Sequence, residues 1–183
     1  MVNRRLVDDQ PIYVVDGLFA PDVVRMIHET CRNLPFALDD YDTEATSDIL
    51  HWKYEFEPER LSAFPLFRRW HDTIVAHTCG LFGERTLSLR RVHCNKHPQD
   101  DVQLVHHDID PGVTSVYFIN PDWRDEWQGE MIFYGRNGEP HSAVSPRAGR
   151  VVTFPGGLLH RGGVPSRLCP DPRLSVAFKF SAA

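Results

Sequence analysis

His106 and Asp108 stand two residues apart in "LVHHDIDPGVTSVYFIN", just before an uncharged run suited to a buried strand. On an extended chain such residues point to one side, so an imidazole and a carboxylate face a common space while His107 points away. Ionisable groups at the mouth of an apolar strand are costly to desolvate unless they share a strong partner, and a metal ion is one such partner. A third ligand is needed. The best candidate is His160 in "TFPGGLLHRGG", after a β-rich run that could return beside the first strand. Two imidazoles and one carboxylate with open positions form the facial set of non-haem Fe(II) oxygenases; the same set also suits Zn(II). Arg173 lies in "RLSVAFKF", a run otherwise apolar apart from Ser175 and Lys179. A guanidinium there calls for an anion, and its planar fork matches a carboxylate at two points. Arg173 and Ser175 share a strand face, placed to grip the far carboxylate of a dicarboxylic cosubstrate whose other end chelates the metal.

These groups need a scaffold. From residue 86 onward the chain reads as short β-rich runs, "LSLRRVHCN", "VTSVYFIN", "GEMIFYG", "SAVSP", "GRVVTFPGG" and "RLSVAFKF", separated by Asn-Gly, Gly-Gly and Pro signals. That pattern predicts an antiparallel barrel or double-sheet jelly roll. Upstream, "PIYVV" is a short strand that turns at Asp16-Gly17. A helix then opens at Pro21 and Asp22, with Val23, Val24, Ile27 and Cys31 at helical spacing. In "ALDDYDTEATSDILHWKYEFE" a polar part, residues 37–48, reads as a lid or as a passive connection. Trp52, Tyr54 and Phe56 then alternate on one side of a strand. A second helix carries Phe67, Trp70, Ile74 and His77 on one stripe and ends at Gly80 or Gly83. The expectation is one mainly β domain over residues 1–183 with flanking helices: an N-terminal helical buttress at about 18–83 and a jelly-roll core at about 86–181.

In their order, His106-x-Asp108, His160 and Arg173-x-Ser175 resemble the Fe(II)/2-oxoglutarate-dependent dioxygenases, in particular the prolyl-4-hydroxylase-like branch. The likeness extends through "VYFINPDW", "WQGEMIFY" and "VSPRAGRVVTFPGGLLH", from about Arg91 to Phe180, and more loosely to "VVDGLFAPDVVRMI". The resemblance implies a cupin-like double-stranded β-helix and a catalytic metal bound by His106, Asp108 and His160. It also implies 2-oxoglutarate held by Arg173 with Ser175. Fe(II), 2-oxoglutarate and O2 are then the cofactor and cosubstrates, ascorbate a candidate stimulant, and succinate and CO2 the by-products. Related halogenases lack the carboxylate, so Asp108 favours hydroxylation or another C–H oxidation. One departure stands out: where many prolyl hydroxylases place a tyrosine, this chain has Phe118, with Tyr117 facing away, and which group replaces that hydroxyl stays open.

Composition narrows the partners. With 42% hydrophobic and 11% aromatic residues the chain has the apolar content of a globular domain. A formal charge of -5 and no long basic block leave nucleic-acid binding without its usual footprint. Cys31, Cys79, Cys94 and Cys169 form no CxxC pair and read as reduced thiols. The start has no apolar run long enough for a signal peptide, and nothing later matches a membrane span, so the expected location is cytoplasmic. The expected partner is a small-molecule substrate in biosynthesis, an amino acid or an intermediate, with no membrane, nucleic acid or obligate protein partner. Protein side-chain hydroxylation, a zinc hydrolase and an inactive cupin-like binding module are the alternatives. Asn95, His107, Tyr117 and Trp127 are candidates for substrate contact or for support of the ligands. The alternating His93, Asn95 and His97 form no second metal site, because no carboxylate at matching spacing closes one.

Overall fold

The computed structural model describes residues 1–57, 61, 64–83 and 87–182. The expected start of the core at residue 86 lies outside this set, and the first core strand is described from Leu87. Eight strands form one sheet: β1 (Val2–Val7), β2 (Gln10–Val15), β3 (Ala37–Asp40), β4 (His51–Glu55), β5 (Leu87–His97), β6 (Gly112–Phe118), β9 (Val151–Pro155) and β11 (Arg173–Ala182). Their spatial order is β1-β2-β9-β6-β11-β5-β4-β3. The second sheet contains β7 (Met131–Tyr134), β8 (Pro140–Val144) and β10 (His160–Arg161), in the order β10-β7-β8. Every strand pairing is antiparallel. The architecture is the jelly roll that the sequence pattern predicts, and the helices α1 (Pro21–Cys31) and α2 (Pro65–Phe82) pack on the large sheet.

Both faces of the large sheet are covered, which is why all seven residues of β6 are buried. Its outward residues Val113 and Tyr117 join Val176, Phe178 and Phe180 of β11 against Ile27, Cys31, Trp70 and Ile74 of the helices. Val116 and Phe118 face the other way, meeting Met131, Phe133, Phe154 and Leu158 between the two sheets. On α2 the buried stripe is completed by Thr78, not by His77. The Thr78 hydroxyl bonds the Ser115 hydroxyl at 2.8 Å, and Ser115 bonds Thr153 at 2.8 Å, so these three buried hydroxyls are paired.

The first half of the chain also supplies strands. β3 and β4 extend the sheet beyond β5, so Lys53 and Glu55 on the polar side of β4 lie alongside Asn95 and His93 of β5. Arg150 ties the N-terminal strands down by clamping Asp16 through two contacts of 2.7 Å.

Candidate active site

His106 precedes β6, and its backbone bridges to that of His160 on β10, through His106 N–H to His160 O at 2.9 Å and the reverse at 3.0 Å. Asp108 N–H donates to Gly156 O at 2.9 Å. Main-chain bonds thus draw the segment carrying His106 and Asp108 against His160, which is distant in sequence. One ligand atom from each of His106, Asp108 and His160 falls within 4.8 Å of the others. His106 Nε2 lies 3.7 Å from Asp108 Oδ1, and His160 Nε2 lies 3.6 Å from Asp108 Oδ2.

Both imidazoles are oriented alike. His106 Nδ1 faces Leu104 O at 3.0 Å and His160 Nδ1 faces Leu158 O at 2.8 Å. A carbonyl can only accept, so Nδ1 carries the proton in each ring and both Nε2 lone pairs point into the shared space. Burial holds the His160 pKa down at about 4, against the pull of Asp108, so this ring is neutral at physiological pH. Burial pushes the Asp108 carboxyl up, but His160, Lys179 and Thr114 outweigh it and keep the group ionised. Thr114 Oγ1 donates to Asp108 Oδ2 at 2.6 Å and Lys179 Nζ to Oδ1 at 2.6 Å. Two imidazole nitrogens and one fixed anion fit a divalent cation with positions left open.

Arg173 opens β11 in the same cavity and is 2% exposed. Its guanidinium stacks over the Phe118 ring at 5.5 Å. Burial lowers its pKa to about 10, opposed by Asp101 and Glu130, and it remains a cation. No carboxylate of the described residues lies within ion-pairing distance, and Nε has no hydrogen-bond partner among them. A buried guanidinium left this way is a receptor for an anion. Glycines make room for it: a Cβ on Gly162 would sit 2.9 Å from Arg173 Nη2, and one on Gly129 would sit 3.1 Å from Cδ. Ser175 lies on the same strand face and also lines the cavity. The metal-ligand fit and the free cation together match a keto diacid that chelates at one end and is gripped at the other.

The cavity has a volume of about 370 Å³. Asn95 and His107 line it, His107 at the exposed mouth with Nδ1 2.8 Å from Gly157 O. Two candidate contacts lie elsewhere. Tyr117 points into the helix-side core, where its ring meets Trp70 at 5.6 Å and Phe19 at 5.5 Å, because the phase that turns Phe118 inward turns its neighbour outward. Trp127 is not among the cavity-lining residues; it packs edge-on against Trp123 at 5.6 Å in the loop after β6. Other residues facing the cavity were missed by the motifs, among them Asp42, His51, Thr114 and Lys179. Only Lys179 left a signal in sequence, as a charge on an apolar strand at the phase of Arg173.

Residues 91–180 match the family model of the 2OG-Fe(II) oxygenase superfamily. That stretch is a 2OG-Fe(II) oxygenase domain, and the enzyme it defines is a dioxygenase using iron, 2-oxoglutarate and O2. No curated protein matches the chain. Among solved structures it is similar to a prolyl-4-hydroxylase from Pseudomonas putida, at 20% identity and a TM-score of 0.64, covering 93% of this chain and 92% of that one. It is also similar to HygX from Streptomyces hygroscopicus with nickel, 2-oxoglutarate and hygromycin B bound, at 17% identity and 0.68, covering 93% and 82%. A third is a prolyl hydroxylase from Trichoplax adhaerens in complex with a hypoxia inducible factor peptide fragment, at 10% identity and 0.67, covering 93% and 83%.

Proposed function

We propose that this chain hydroxylates a compact, polar small molecule, with Fe(II) held by His106, Asp108 and His160 and 2-oxoglutarate gripped by Arg173 and Ser175. The observation that carries the reading is one cavity holding both features: three convergent ligand atoms and a buried guanidinium without a carboxylate partner among the described residues. Iron bound there, with 2-oxoglutarate and O2, supplies an oxidant able to break a C–H bond as the keto acid becomes succinate and CO2. The protein's part is placement. The Leu104 and Leu158 carbonyls keep both imidazoles in the tautomer that presents Nε2. Thr114 and Lys179 each engage one oxygen of Asp108, holding its carboxylate in one rotation. Arg173 sets the far end of the cosubstrate and so orients its chelating end.

The substrate class rests on the cavity. About 370 Å³ is near the low end for ligand pockets, which run to roughly 300–1,000 Å³, and the cosubstrate takes part of it. Asp40, Asp42, Arg91, His93 and Asn95 make the lining polar, which suits a hydrophilic molecule. The HygX structure with hygromycin B is a small-molecule precedent for this fold. Protein side-chain hydroxylation is the second reading, favoured by the P. putida prolyl-4-hydroxylase, whose length this chain nearly matches.

The test is to supply Fe(II), ascorbate, 2-oxoglutarate and O2 and follow succinate and oxygen uptake, with amino acids, polar metabolites and proline-containing peptides as candidate substrates. Slow conversion without substrate, stimulated by a small molecule and lost in Asp108→Ala, is expected. A metal-dependent hydrolysis without oxygen uptake would replace this reading with a zinc enzyme, and no succinate above background would leave a binding module.

A further inference from the structure

The segment joining β3 to β4 sets a second carboxylate against one of the candidate metal ligands: Asp42 Oδ1 lies 3.3 Å from His106 Nδ1. We propose that Asp42 is a positioning residue for the iron centre, so that metal loading and the docking of residues 41–48 over the site are one linked event. This rests on the assignment of His106 as a ligand.

The two candidate imidazoles differ on this point. Each has a main-chain carbonyl two residues back at Nδ1, but only His106 also faces an acid there. A carboxylate beside the N–H of a ligating imidazole makes the opposite nitrogen a stronger donor. It also stabilises the positive charge the ring takes on when it binds a dication.

Asp42 is built into its place. Its side chain is 9% exposed, and its other oxygen accepts Leu104 N–H at 2.6 Å and lies 3.3 Å from His51 Nε2. Leu104 is also the residue whose carbonyl holds His106. From His51 the chain continues: Nδ1 to Asp101 Oδ1 at 3.0 Å, then Asp101 Oδ2 to His97 Nδ1 at 2.7 Å. Gln103 Nε2 donates to Asp101 Oδ2 at 3.1 Å. His97 is the strand partner of Arg173. Alternating carboxylates and imidazoles therefore run from the metal end of the cavity to its cosubstrate end, and Asp42 is the link contributed by the segment between β3 and β4. Tyr41, next to it, lines the cavity mouth. If the docked segment strengthens metal binding, bound metal must favour the docked segment by the same factor.

The experiment is anaerobic Fe(II) titration of the full chain by calorimetry, repeated with redox-inert Ni(II), together with amide hydrogen exchange through residues 41–48 with and without metal. Asp42→Asn keeps the shape and removes the charge, and is expected to weaken metal binding by about 10- to 100-fold, the usual loss when a partner behind a ligand is removed. Asp42→Glu should recover part of that loss. Asp39→Asn removes the same charge from an exposed position nearby and is expected to leave affinity unchanged. Metal should slow exchange through the segment in the unmodified protein, and not in Asp42→Asn. Unaltered affinity in Asp42→Asn, or exchange indifferent to metal in the unmodified protein, would overturn the inference while the iron site stood. If Asp42→Asn fails to fold, the exchange measurement on the unmodified protein decides alone. An unmodified protein that binds neither metal, or binds it undiminished after His160→Ala, removes the functional reading and this inference together.

Discussion

Arg173 shows most plainly how one side chain is tuned by its surroundings. An exposed arginine would be solvated, whereas this one is desolvated, flattened against Phe118 and flanked by glycines that leave space beside the guanidinium. Phe118 offers the guanidinium a π face and no hydroxyl, so the far carboxylate of the proposed cosubstrate is expected to depend heavily on the guanidinium itself. Losing one partner of a buried charge pair costs about 2–5 kcal/mol, on the order of 30-fold or more in affinity. Arg173→Ala should therefore raise the dissociation constant for 2-oxoglutarate by at least that factor in a direct titration with Ni(II) present. Arg173→Lys should lie between, because a point charge lacks the fork. Equal affinities for all three proteins would rule out the clamp.

The strands align the site in rows. Thr114, Lys179 and Arg91 form one register row across β6, β11 and β5; Val116, Ala177, His93 and Glu55 the next; and Phe118, Ser175, Asn95 and Lys53 a third. Side chains one row apart on one strand face are two residues apart in sequence, so a register slip of one in β5, β6 or β11 would turn that strand's cavity-lining residues away from the cavity. The loop after β9 holds Asp108 against this frame. A Cβ on Gly156 would collide with the Ile109 carbonyl, which is main chain and cannot swing aside, while Gly156 O accepts the Asp108 N–H. Gly156→Ala must push the 108–110 segment away. The expected cost is about 1–3 kcal/mol of stability, as for other overpacked sites, with weaker metal binding. Denaturant unfolding and metal titration check the two parts, and a variant unchanged in both would show that this close approach is dispensable.

Across the whole molecule, two apolar layers carry the fold, one between the sheets and one under the helices, while polar and charged groups concentrate in the cavity. No helix among the described residues is long and apolar enough to cross a membrane. The polar network makes stability depend on pH. Asp101 and then Asp42 raise the His51 pKa from 6.5 to about 9, against burial. A group with a raised folded-state pKa stabilises the fold fully below its unfolded value, and the contribution is lost as pH climbs through the folded one. The metal-free protein should therefore lose thermal stability between pH 6.5 and about 9 more steeply than His51→Gln does. Melting temperatures of both proteins across that range test this, and parallel curves would remove His51 as the source.

Much of this was legible in the chain, because the information was local. Alternation predicted the core strands, and a spacing of two put His106 with Asp108, and Arg173 with Ser175, on common faces before any neighbour was known. The helix starting at Pro21 and the turn glycines were readable for the same reason. Tertiary structure decided who stands opposite whom. Asp42 meets His106, Lys179 meets Asp108, and His51 joins Asp101 and His97 only because the sheet order places β3 and β4 beyond β5 and β11 beside β6. Alternation already turned Tyr117 away from Phe118, and the packing of the helices decided that this other face is core. The direction of a side chain is set by its own few residues, but its partner is set by strand order and register, which depend on contacts across the entire chain.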